Sequence, residues 1–134
     1  MGEIGPITPA RLIQILNSLL PDPYMQDNHW ESGEIDINAA GADFLLGAPV
    51  AAGKKRRVRE ITVRHAGTNN TVITLKINGA GGAISLSIDV PAQTTRVWSS
   101  QDGRIFLAAI QPAIQSSDIT NGHTFVSASG IEAT

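Results

Sequence analysis

The residues of this chain with chemical potential are three histidines, one dense run of bases and a scatter of serines and carboxylates. His29, His65 and His123 are far apart in sequence, and the nearest approach to a metal cluster is His29-Trp30-Glu31. Two ligands are too few for a closed zinc site, so no metal and no cofactor is expected. The serines stand in no Gly-x-Ser-x-Gly elbow, and no spacing suggests a nucleophile with its base. Gly79-Ala80-Gly81-Gly82 has the glycines of a phosphate loop, but Ile84 stands where the third glycine of Gly-x-Gly-x-x-Gly belongs and no helix signal follows. It reads as a hairpin loop. No catalytic activity is expected.

The bases invite a different chemistry. Lys54-Lys55-Arg56-Arg57, with Arg59, holds half of the ten Lys and Arg residues. Such a run can meet phosphates, but it carries no aromatic platforms for bases, and the net charge of −2 gives no general attraction to nucleic acid. Protein contact is the expected use, and no nucleic-acid partner is expected. From Met1 to Asp43 seven acids face a single Arg11, whereas from Lys54 to Arg64 six bases face only Glu60. Opposed patches of this kind steer association and set its register. Trp98 is the one candidate platform for a sugar ring, against its commoner use at a sheet corner. Asn69-Asn70-Thr71 matches a glycosylation acceptor, which matters only in a secreted eukaryotic protein.

The elements that would position these groups are mostly strands. Ile73, Leu75 and Ile77 alternate, as do Ile84, Leu86, Ile88 and Val90, which is the period of strands with one buried face. Candidate strands lie near 34–38, 43–46, 56–65, 71–77, 83–90, 94–99, 104–110, 113–119 and 123–128. Gly67-Thr68-Asn69-Asn70, the 78–82 loop, Asp102-Gly103 and Asn121-Gly122 carry turn chemistry, the last two being hairpin signals. Val58 and Ile61 have opposite parity while Ile61 and Val63 agree, which predicts a β-bulge near Arg59-Glu60. The expected core is Ile35, Ile37, Phe44, Leu46, Ile61, Val63, Ile73, Leu75, Ile77, Ile84, Leu86, Ile88, Val90, Val97, Ile105, Leu107, Phe125 and Ile131. The fold class is all-β, an antiparallel β-sandwich, jelly-roll-like, of about eight strands.

Ahead of the sandwich comes an arm. Thr8 can cap a helix, Pro9 suits its first position, and Leu12, Leu16, Leu19 and Leu20 recur at helical spacing before Pro21 ends it. A helix of about a dozen residues is marginal alone and needs a surface. Pro21-Asp22-Pro23-Tyr24 continues as extended chain. The organisation is therefore an arm with a short helix over 1–33 and a sandwich over 34–134. Leu12, Leu16, Tyr24 and Trp30 are the arm's expected anchors on a partner, and Lys54, Lys55, Arg56 and Arg57 are expected to meet an acidic partner surface. With no cysteine the fold is held by packing alone. Met-Gly-Glu-Ile-Gly-Pro opens no signal peptide, and no membrane span is expected.

The run from Ala48 to Arg64, the hairpin Gly67 to Ile77, the stretch Val90-Pro91-Ala92-Gln93-Thr94-Thr95, Gly103-Arg104-Ile105-Phe106-Leu107 and the closing Val126 to Glu132 together resemble small virion proteins of tailed bacteriophages. These are β-sandwich or jelly-roll modules that decorate capsids or build necks and tails. The resemblance lies in strand grammar over about Ala48 to Glu132 and excludes the N-terminal helix. It implies a structural role without catalysis or cofactor, made in the host cytoplasm and located in the virion, with the major capsid protein or other virion subunits as partners and a homo-oligomer, often a trimer. The expected function is capsid decoration, or cement; the alternatives are a neck or tail protein and a carbohydrate- or receptor-binding module.

Overall fold

The computed structural model describes residues 8–10, 28–79 and 81–134. Nine strands form among them: β1 (His29–Glu31), β2 (Ile35–Ile37), β3 (Phe44–Leu45), β4 (Lys55–His65), β5 (Thr71–Lys76), β6 (Ile84–Val90), β7 (Thr95–Phe106), β8 (Ala113–Ser116) and β9 (Thr124–Ala133). They make two antiparallel sheets. One has the order β1-β9-β4-β7, with β2 also on β9, and the other has the order β3-β8-β5-β6. The all-β, two-sheet expectation holds.

Pairing is nested. β5 pairs with β6, β4 with β7, β3 with β8 and β2 with β9, so the chain from β2 to β9 is one long hairpin whose layers fall alternately into the two sheets. β5 and β6, joined by the 77–83 loop, are the one pair of consecutive strands that are bonded to each other. The hairpins expected at Asp102-Gly103 and Asn121-Gly122 do not form. Asn121-Gly122 lies in a connection that crosses from β8 in one sheet to β9 in the other. Asp102-Gly103 falls inside β7, where the register with β4 jumps from Ser99 opposite Glu60 to Arg104 opposite Val58.

The predicted bulge in β4 is present between Val58 and Glu60 against both neighbours. Glycines flank it on each side for a steric reason: a Cβ on Gly130 would lie 1.9 Å from the Arg57 carbonyl oxygen, and one on Gly103 would lie 2.5 Å from that of Val58. The bulge turns Arg56, Val58, Ile61, Val63 and His65 all inward. The core between the sheets is built from Ile37, Leu46, Val50, Val58, Ile61, Val63, Ile73, Leu75, Val90, Phe106, Ile114, Val126 and Ala128.

Several expected core residues are therefore corrected. Phe106 is buried in place of Ile105 and Leu107, because Phe106 stands opposite inward-facing Arg56 and its neighbours take the other parity. Val97 faces out and Trp98 packs inward opposite Ile61. On β9 the buried hydrophobic residues are Val126 and Ala128, while Phe125 lies under the Arg64 guanidinium at 4.1 Å. Ile77 and Ile84, at the mouth of the β5–β6 loop, are exposed.

Of the expected helix only the helical residues Pro9 and Ala10 are described; Leu12, Leu16 and Tyr24 lie outside the described residues. Trp30, assigned to the arm by sequence, sits in β1 opposite Gly130 and packs against the core. Among the described residues no helix is long and apolar enough to cross a membrane.

Candidate functional site

The two ends of the sandwich differ in kind. Five residues join β4 to β5 and four join β6 to β7, so His65, Thr71, Val90 and Thr95 share one end. The starts of β4, β6 and β8 and the finishes of β5, β7 and β9 lie at the other.

That second end is open and apolar. Leu45, Ala113, Lys76 and Ile84 form one row across the smaller sheet, and Ile105, Arg57 and Ile131 form one across the larger. Exposure is 52% for Leu45, 38% for Ile77, 64% for Ile84, 52% for Ile105 and 54% for Leu107. The loops between them add exposed Ala48, Pro49, Ala51, Ala52, Ala108 and Ala109. These loops are tied down: the Ala109 N–H donates to the Val50 carbonyl at 2.9 Å, and the Val50 N–H donates to that of Ile110 at 2.8 Å. Leu45, Ile84 and Ile105 stand at strand ends and Ile77 and Leu107 on the adjoining loops; isolated exposed aliphatics are ordinary, whereas several gathered at one end leave a sizeable amount of hydrocarbon in water.

The basic run divides at this end. Lys55 is exposed, Lys54 is half-buried, and Arg57 is half-buried between Ile105 and Ile131. Arg57 Nη1 donates to the Asp102 carbonyl. Arg56 is corrected as a partner-binding residue, because it is only 1% exposed. Its Nε and Nη2 both donate to Glu132 Oε1 at 2.8 Å, and its guanidinium lies 4.3 Å from the centre of the Trp30 ring. The Ala51 N–H reaches the other Glu132 oxygen at 3.3 Å. Arg56, Glu132 and Trp30 thus lock β1, β4 and β9 together beneath the open end. Lys76 with Asp43 at 3.0 Å does the same for the smaller sheet.

The closed end is built on a buried polar chain. His65 is 2% exposed; its Nε2 donates to the Asn69 carbonyl at 2.7 Å, and in the neutral ring its Nδ1 accepts from the Thr124 hydroxyl at 2.8 Å. Thr124 lies 3.1 Å from the Ser116 hydroxyl, which lies 2.6 Å from that of Thr71. Asp118 completes the loop: its N–H donates to Thr71 Oγ1 at 3.1 Å, and its carboxylate accepts from the Thr120 N–H at 2.8 Å. That backbone bond, then the Thr120 side chain, holds the Asp118 carboxyl below its ordinary value of 3.8. The sequence of imidazole and hydroxyls superficially matches a proton relay, yet Thr71, Ser116 and Thr124 are all buried and spend their bonds on pinning loops 66–70 and 117–123.

Between the ends, the outer face of the larger sheet carries a shallow depression of about 490 Å³ over the bulge, lined by His29, Arg59, Glu60, Ser99, Gln101 and Ser129 among others. Trp98 does not reach it, since it packs into the core. The other two histidines are engaged separately, His29 with Glu31 at 3.5 Å and His123 with Asp36 at 2.9 Å. Among the described residues no three His, Asp or Glu side chains converge as a metal-holding group.

The sequence singled out the basic run but pointed to neither the apolar end nor the polar chain. A signal for part of it existed: the bulge parity that turns Val58 inward also turns Arg56 and His65 inward. Comparison with known proteins finds no matching family model, no matching curated protein and no matching solved structure.

Proposed function

We propose that this chain is a structural protein of a virus particle, a decoration or cement protein that seats on a tailed-phage capsid shell and stabilises it. The observation that carries the reading is the open end, where strand ends and braced loops gather exposed aliphatic side chains beside Lys54, Lys55 and Arg57 around the start of β4. Support also comes from the nested pairing of β2 to β9, which fits a jelly roll, an architecture shared by viral capsid and lectin domains. A protein that binds only the assembled shell raises shell stability by mass action, with no chemistry required.

The lectin reading loses its best residue, because Trp98 faces the core and the depression over the bulge has no aromatic floor. The test is co-sedimentation of the purified chain with capsids that lack it, followed by heating. Saturable binding that raises the temperature of shell disruption supports decoration. Binding confined to necks or tails in micrographs would move the protein to those parts of the particle, and binding to a glycan array without particle binding would overturn the structural reading.

A further inference from the structure

We propose that the apolar end of the sandwich receives the N-terminal segment of a second copy of this chain, with Leu12, Leu16, Leu19 and Leu20 supplying the side chains that cover it. This rests on reading that end as an assembly surface and names its occupant.

Three observations converge. The first is position. The chain enters β1 at this same end, with His29 opposite Ile131 and the Glu132 N–H donating to the Asn28 carbonyl at 2.7 Å. Glu132 in turn accepts from Ala51, so Asn28 lies beside the exposed 48–52 loop. The second is composition. The segment holds apolar residues at helical spacing, marginal as a helix without a surface, and the end holds exposed aliphatics without a cover within the described part of one chain. The third is charge: Asp22 and Asp27 accompany the segment, while Lys54, Lys55 and Arg57 stand around the start of β4 within the acceptor end.

Reach allows exchange between copies. Seven residues from Pro21 to Asp27, fully extended, span roughly 23 Å, and an end of a four-stranded sandwich is about 15–20 Å across. Donor and acceptor are different surfaces of one chain, so the contact is heterologous and closes into a ring when the rotation permits. A ring of copies is the kind of object that a shell can be capped with.

The lack of cysteine makes the test direct. Full-length Leu16→Cys and full-length Leu107→Cys, each carrying one thiol, are mixed and treated with a short bismaleimide. The expected product is a cross-linked dimer of the two different variants, formed at least about tenfold faster than either like-with-like dimer. Adding Ile84→Asp to the Leu107→Cys chain should suppress it to a similar degree, with circular dichroism checking that this chain stays folded. Cross-linking only within a Leu16→Cys/Leu107→Cys double variant would show that each chain covers its own end, and no cross-link in either arrangement would show that the segment does not seat there; both overturn the proposal. Particle co-sedimentation separates this from the functional reading, since unlike dimers without particle binding leave the exchange standing and remove decoration.

Discussion

At one end of the sandwich His65, Thr124, Ser116 and Thr71 bond to each other and to the loops above them; at the other, Leu45, Ile84 and Ile105 on strand ends and Ile77 and Leu107 on the adjoining loops are exposed. Both ends close the same barrel of core side chains, so the difference is not one of foldedness. The polar end has spent its hydrogen-bonding capacity internally and offers a partner little. The apolar end keeps its backbone bonds satisfied and leaves hydrocarbon in water, which is costly unless something covers it. In the proposed reading, stability and interaction fall to opposite ends.

The largest effect should come from the support beneath the open end. Arg56→Ala would leave Glu132 without its partner and strip the cation from Trp30. A loss of about 3–5 kcal/mol in urea unfolding is expected, the usual cost of halving a buried pair. Lys55→Ala, one residue away, should stay within about 0.5 kcal/mol. Equal effects would mean that the basic run acts as a single surface and that the assignment of Arg56 to the interior is wrong.

At the closed end, Thr124→Val removes the hydroxyl between His65 and Ser116, and unfolding should lose about 1–3 kcal/mol for the buried groups left unpaired. Amide hydrogen exchange should quicken in loops 66–70 and 117–123 while β6 and the 107–112 loop are unaffected. Spread of the effect to both ends would erase the distinction between them.

The smallest effect is electrostatic. The Asp118 carboxyl is held low mainly by the Thr120 N–H, so the folded state prefers it ionised. Its contribution is fully present above the unfolded value near 3.8 and is lost as pH falls through the lower folded value. Native stability should therefore drop on acidification below about pH 4, and in Asp118→Asn that part of the drop should be missing. An unchanged acid limb in a pH series of thermal melts would show that the carboxylate does not help to hold the closed end.

The strands were legible because alternation is local: Thr71 to Lys76 and Ile84 to Val90 carry their period openly, and the β4 bulge shows in the parity of Val58 against Ile61. The facing of β7 and β9 was not. Ile105-Phe106-Leu107 is apolar at both parities, and only the pairing of Phe106 with Arg56 decides which one enters the core. Turn signals failed for a related reason, since Asn121-Gly122 supplies a backbone conformation, Asn121 having a φ of 62°, and not a destination for the strand that follows. The apolar end is assembled from four stretches of chain distant in sequence. No single window of the sequence contains it.

One variant, Ile84→Asp/Leu107→Asp, tests the open end most directly as an interaction surface. Both side chains are exposed, so the urea unfolding midpoint should match the parent's, with less than about 0.5 kcal/mol between them. Self-association and binding to capsids should each fall at least about tenfold, since placing charge on an apolar contact of a few kcal/mol removes orders of magnitude in affinity. Parent-like assembly and capsid binding in this folded variant would contradict the claim that the open end is the interaction surface.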